Sequence, residues 1–350
     1  MRDDAMDQAF ILAKDHLKSF LRKVKKGHRL VAPVTNQHND TLFCTINHLD
    51  RVPINLTEQA QNGIKSFLFP QQETLATYAV SADGYRFNRT DVRPEPTVYF
   101  GVRPCDLMAV LYMDVVFMGG VKDQHYLEKR QDSVLIGLNC NAPFANCFCS
   151  ATKSGPFLET GFDLMFTDLG DRFLVEVGRP KGREMLQAWQ QFFTPAEAED
   201  TRAQYQLSLE AMAGFRLDVY ADQAIQRLAA GLVPESVWEQ LSLRCQDCAG
   251  CAYICPTCTC FTIVDRPNGA DSGERLRSWD ACTFAGFTRL AGGHNPVAHK
   301  IHAIQTRFMH KLKYDVDKHG RPSCVGCGRC VGICFGGTDI VRFIKMAGED

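Results

Sequence analysis

Apolar positions at Met6, Phe10, Ala13, Leu17, Phe20 and Val24 recur every three or four residues, which predicts an amphipathic helix closed by Gly27. The period then changes. Short apolar runs at His28–Val34 and Leu42–Ile46 predict strands. Those at Val98–Val102 and Val134–Leu138 do not alternate with polar residues, so they predict strands buried on both faces. The segment joining the last two is long enough for a helical crossover, so they are expected to be parallel neighbours. Leu164–Val177 reads as a hairpin turning at Gly170-Asp171. From about residue 180 the pattern becomes helical. Thr194-Pro195-Ala196-Glu197 has the form of a capping box with proline at the first helical position. Ala221–Ala230 reads as a helix closed by Gly231, Pro234 opens another that leads to Cys245, and Ile301, Ile304, Phe308 and Leu312 mark one more. The order of elements predicts an α+β protein. An N-terminal α/β-type domain with a mixed sheet would span residues 1–232, and a mainly helical domain residues 233–350.

Composition narrows the class. The chain has 350 residues, of which 45% are hydrophobic and 23% charged, with a formal net charge of −1. A nucleic-acid binder usually carries a basic surplus, so no nucleic-acid partner is expected. No apolar run approaches the ~20 residues that span a bilayer, and the opening Met-Arg-Asp-Asp lacks the layout of a signal peptide. A cytoplasmic protein without a membrane partner is expected. The outlying number is 16 cysteines. In a reducing compartment, closely spaced cysteines are metal ligands or redox groups more often than disulfides.

Two groups of these cysteines share one spacing. Cys245, Cys248, Cys251 and Cys255 form C-x2-C-x2-C-x3-C followed by Pro256, and Cys324, Cys327, Cys330 and Cys334 repeat the run with Phe335 after it. This is the spacing that holds [4Fe–4S] clusters in two-cluster ferredoxins. Two-residue gaps let a tight loop wrap one cubane with three thiolates, and the fourth cysteine ligates the other cluster. One cluster is therefore expected on Cys245, Cys248, Cys251 and Cys334, and the second on Cys324, Cys327, Cys330 and Cys255. The rival reading is a pair of zinc sites. Zinc sites usually group cysteines in twos, whereas each run here places three in close succession, which favours clusters. The interval 256–323 reads as mostly helical, as in the dicluster ferredoxin domains of large redox enzymes.

Other cysteines lie outside the runs. Cys105 follows the strand at 98–102 and Cys140 the strand at 134–138, so parallel pairing would bring both to the carboxyl edge of one sheet. Cys147 and Cys149 lie a few residues on. A third cluster or other metal site is the functional reading for these four, and ordinary buried cysteines the bland one. Cys258, Cys260 and Cys282 are expected to line the cluster domain, and Cys44 to be core. The basic stretch Arg289–Arg321 reads as a solvated helix face, or as charge that tunes an anionic cluster or docks an acidic partner. Gly326-Cys327-Gly328 follows no strand and is no dinucleotide fingerprint. No P-loop, flavin fingerprint or catalytic triad stands out, so no substrate site and no catalytic residue are expected.

With these motifs placed, the chain resembles the β subunits of cytoplasmic sulfhydrogenases, the NAD(P)-linked [NiFe] hydrogenases, and also the corresponding iron–sulfur component of anaerobic sulfite reductase. The residues that carry the resemblance are Gly101-Val-Arg-Pro-Cys105-Asp106, Cys140 through Cys147-Phe-Cys149, Gly161-Phe-Asp-Leu, Cys255-Pro-Thr-Cys258, Arg277-Ser-Trp-Asp-Ala-Cys282, Ala291-Gly-Gly-His-Asn295 and Cys324-Val-Gly-Cys-Gly-Arg-Cys330. They cover roughly residues 95–340; the first ninety residues match poorly. The resemblance implies an electron-transfer subunit of a hetero-oligomer, without a substrate site of its own. It would relay electrons from or to a flavin- and NAD(P)-binding subunit on one side and a catalytic redox subunit, such as a [NiFe] hydrogenase, on the other. The alternatives are a subunit of an anaerobic sulfite reductase or heterodisulfide-reductase-like complex, or else a self-contained iron–sulfur oxidoreductase.

Overall fold

A computed structural model describes residues 9–91 and 94–349. In chain order, β1 (Phe10–Ala13) runs directly into α1 (Lys14–Val24), followed by β2 (Arg29–Thr35), β3 (Thr41–Thr45) and the short α2 (Lys65–Leu68). Next come β4 (Gln72–Ser81), β5 (Gly84–Arg89), β6 (Thr97–Val102), α3 (Pro104–Met118), α4 (Gln124–Gln131) and β7 (Ser133–Leu138). A hairpin of β8 (Leu164–Asp168) and β9 (Arg172–Val177) precedes α5 (Pro180–Ala188), β10 (Thr194–Pro195), α6 (Ala198–Ala213) and α7 (Ala221–Ala229). The last part holds α8 (Glu235–Arg244), α9 (Gly250–Tyr253), β11 (Phe261–Pro267), β12 (Ser272–Trp279), α10 (Lys300–Met309), α11 (Asp315–His319), α12 (Arg329–Gly332) and α13 (Ile340–Gly348).

The α+β class holds. Among the described residues, eight strands form one mixed sheet in the order β10-β1-β9-β8-β7-β6-β2-β3. Its centre is parallel: β2 pairs with β6, β6 with β7 and β7 with β8. The expected parallel pairing of the two non-alternating runs is therefore present, and so is its cause. Leu30, Val98, Phe100 and Ile136 pack on one face with Phe20 of α1. Val31, Tyr99 and Leu135 pack on the other with Leu107, Val110 and Met113 of α3. Each fully buried side chain of this size contributes about 1.5–3 kcal/mol, so successive apolar residues on one strand stabilise two separate cores.

The helical part has its own core, where Phe308 stacks on Phe343 at 4.5 Å and Trp238 on Phe343 at 4.8 Å. Among the described residues no helix is long and apolar enough to cross a membrane.

Four details differ from the sequence reading. Met6 lies outside the described residues, and Phe10–Ala13 is a strand that adds to the main sheet, so the first helix begins only at Lys14. Thr194-Pro195 extends that sheet rather than capping α6; the capping box is formed by Glu197 and Asp200. Cys44 is exposed on β3 instead of lying in the core. The interval 256–323 contains a hairpin, β11–β12. That hairpin pairs across the molecule with β4 in a second sheet of order β11-β12-β4-β5. This sheet crosses the division expected near residue 232. It is fastened by Arg277 of β12, 2% exposed, whose guanidinium pairs with Glu73 of β4 at 2.5 Å and with Asp123.

Candidate metal centres

The upstream run is built where α8 ends. Cys245 caps that helix, Cys251 lies in α9, and the loop between them turns through Asp247 and Ala249, both with positive φ (51° and 55°). The downstream run has the same plan with glycine in the same role. Gly326 (φ 58°) and Gly328 (φ 74°) turn the loop that carries Cys324 and Cys327 into α12, which holds Cys330. Only glycine fits at Gly326, because a Cβ there would stand 2.5 Å from the carbonyl oxygen of Phe148.

The two runs lie close together. Cys255, from the upstream run, acts electrostatically on Cys324, Cys327 and Cys330 alike. Cys334, from the downstream run, acts on Cys251, which also has Cys255 and Cys248 near it. The sets differ in depth. Cys255, Cys324, Cys327 and Cys330 are buried, whereas Cys245, Cys251 and Cys334 are half-buried and Cys248 is exposed. Burial pushes the Cys324 thiol up to about 12 and Cys330 well above its ordinary value.

Arg329, within the downstream run, is buried and paired with both oxygens of Asp106 at 2.7 Å, and three further cations close in. Arg307 of α10 donates to the carbonyl of Cys251 at 3.2 Å. Lys311, in the widened turn that follows, donates to Thr257 Oγ1 at 3.0 Å. Lys65 of α2 donates to the carbonyl of Cys258 at 3.2 Å and sits 3.7 Å from the centre of the Trp279 ring. All three are at most 5% exposed. Among the described residues none of them has a carboxylate within ion-pair distance, and Arg307 Nη1 is buried without a partner. Buried cations left uncompensated are costly, so this collar fits an anionic group held by the thiols it surrounds. Widened helical turns of this kind recur at functional sites. Part of the basic stretch 289–321 is thus turned inward rather than solvated.

The remaining thiols fall into two places. Cys258 lies beside Cys255, and Cys260 beside Cys282, so this group adjoins the buried set. Cys105, Cys140, Cys147 and Cys149 all line one narrow cavity at the carboxyl edge of β6 and β7, together with Gln59, Arg103, Pro104, Pro143, Phe144 and Pro156. Among the described residues no three Cys, His, Asp or Glu side chains converge on a point suited to a single metal ion. A cubane cluster spreads its thiolates wider than one ion does.

Residues 244–338, which hold both cysteine runs, match the family described as a 4Fe-4S dicluster domain. The particular likeness is to a hydrogenase subunit. The chain is 27% identical to the Sulfhydrogenase 2 subunit beta of Pyrococcus furiosus over 340 residues, 97% of this chain and 98% of that protein. The likeness read from the motifs therefore holds, and it extends beyond residues 95–340 into the first ninety, which carry none of those motifs.

Proposed function

We propose that this chain is the electron-relay subunit of a larger redox complex, with one [4Fe–4S] cluster on Cys245, Cys248, Cys251 and Cys334 and another on Cys324, Cys327, Cys330 and Cys255. The observation that supports this reading is the closeness of the two runs: Cys255 acts electrostatically on Cys324, Cys327 and Cys330, and Cys334 on Cys251. When bound, such a cluster takes up and returns one electron without further chemistry. The chain's own residues set the conditions. The buried set keeps water away, the Arg307, Lys311 and Lys65 collar favours the more negative, reduced charge state, and the exposed edge at Cys248 gives a partner a place to approach.

That the relative is named as a subunit supports a hetero-oligomer, which the proposal places in the cytoplasm. In it, a flavin- and NAD(P)-binding subunit stands on one side of the relay and a [NiFe] hydrogenase subunit on the other. The division into residues 1–232 and 233–350 belongs to the same proposal, with the second sheet shared between the parts.

Anaerobic purification tests this. The two ferredoxin-type runs alone call for about eight iron per chain, with visible absorbance that dithionite bleaches. Native pull-down should recover a flavoprotein and a hydrogenase. Zinc in place of iron would refute the clusters. Recovery of a sulfite reductase instead would move the relay to another complex, and a monomer turning over a substrate with NAD(P)H would end the relay reading.

A further inference from the structure

Beyond the two ferredoxin-type runs, we propose that Cys105, Cys140, Cys147 and Cys149 hold a third iron–sulfur cluster, packed directly behind the buried one. The four residues come from three separate pieces of chain that the sheet brings together. Cys105 lies in the first turn of α3, immediately after β6. Cys140 follows β7, and Cys147 and Cys149 lie in the loop between β7 and β8. Because β6 and β7 are parallel neighbours, both strands release their cysteines at the same edge, the usual place for sites in such sheets. All four side chains line the same cavity.

The surroundings are those of a cofactor site rather than of an apolar core. Arg103 is 7% exposed, and among the described residues it has no carboxylate within ion-pair distance. Its guanidinium donates to the carbonyls of Leu56 and Asn139 and lies 4.0 Å from the Cys140 sulfur. Gln59 Nε2 points at the Cys147 sulfur at 3.9 Å. Donors aimed at sulfur are what thiolate-held clusters use to set their potential. The N-terminal turn of α3 adds its own positive field at Cys105. An all-thiol donor set selects iron–sulfur clusters, zinc or copper(I) over harder ions.

The site also touches the buried ferredoxin-type set. Phe148 N donates to the carbonyl of Gly326 at 2.8 Å, Gln59 donates to the carbonyl of Cys327 at 2.9 Å, and Cys105, Cys149 and Cys327 share one small core. Resting on the relay reading above, the third centre extends the chain of carriers inward, from the exposed set through the buried set to the carboxyl edge of the main sheet.

The test uses the full chain, purified without oxygen. Iron and acid-labile sulfide are expected at about twelve each per chain, and the Cys105→Ser/Cys140→Ser double variant should fall to about eight while keeping the signals of two reduced clusters. Should that variant fail to fold, the unmodified protein supplies a second measurement: anomalous scattering at the iron edge from its crystals. An iron peak between Arg103, Phe144 and Pro156 supports the centre. A cavity without metal, or one scattering at the zinc edge, overturns it. Iron in this cavity together with zinc on the ferredoxin-type cysteines would sustain the third centre and sink the relay reading, so the two failures are distinguishable.

Discussion

The upstream and downstream runs carry one spacing and meet opposite surroundings. Around Cys245 and Cys248 the protein is thin, whereas Cys251 has the buried Arg307 against its carbonyl, so that this cation lies between the two sets. Cys248 is exposed, and the nearby Lys300 is itself exposed, donating to the Cys245 carbonyl and pairing with Asp247. Around Cys324, Cys327 and Cys330 every thiol is buried and so are the nearby cations: Arg329 pairs with Asp106 at 2.7 Å, while Lys311 has no carboxylate within ion-pair distance among the described residues. Spacing therefore says what a run can bind, while burial and charge decide how the bound group behaves. Surface charge is screened by water and salt, whereas buried charge is screened much less. The same cofactor placed in these two settings is expected to have two different potentials.

The largest effect expected from breaking this comparison is loss of a whole cluster. Cys327→Ser should remove about four iron and leave a buried cavity beside a packed loop, with a fall in thermal stability well beyond that of Cys248→Ser, whose site faces solvent. Equal losses of stability in the two variants would contradict the difference in depth. The exchange of fourth ligands gives the next test. Cys255→Ser should abolish the same spectroscopic signal as Cys324→Ser, and Cys334→Ser the same signal as Cys248→Ser. If Cys255→Ser matched Cys248→Ser instead, each run would be holding its own fourth cysteine.

Arg277→Met comes third. It leaves Glu73 and Asp123 without their shared buried cation and should cost about 3 kcal/mol in a denaturant titration, with iron content retained. A cost below about 1 kcal/mol would show that the second sheet does not depend on this pair. The smallest effect sharpens the electrostatic contrast. Lys311→Met should lower the midpoint potential of the buried cluster in a titration followed by electron paramagnetic resonance, whereas Lys300→Met should barely move the exposed one. Equal shifts in both would mean that burial does not separate the two settings.

What the chain reveals by itself follows the same physics. β6 and β7 are legible because both faces are buried, so their apolar runs are continuous. The two following cysteines become meaningful for the same reason, since a parallel pair fixes which edge they share. The second sheet is not legible. All of β5 and β11 is exposed, and charged residues such as Arg86, Asp265 and Arg266 mask the strand pattern. Moreover, the partner of β4 lies almost two hundred residues away, at Ser272↔Ala79. β1 hides because Phe10 and Ala13 fall in helical register with Leu17, and four residues are too few to show their own period. In the candidate sites the ligand types are readable from spacing, but the cation collar is not. Lys65 stands far from the cysteines in sequence, and nothing distinguishes inward Arg307 and Lys311 from the solvated charges beside them.

The pairing of β4 with β12 has a consequence for how the protein is made. The hairpin of β4 and β5 leaves the ribosome early, yet its neighbouring strand is not synthesised until residues 272–279. Until then it presents a bare edge able to pair with other chains, which makes the nascent protein a client for holding chaperones. The late strand lies between the two cysteine runs, and the proposed fourth ligand of the first cluster, Cys334, follows it. Cluster delivery is therefore expected to wait until Cys334 has been synthesised, and a chain stopped before residue 272 should leave an aggregating product rather than a smaller working one.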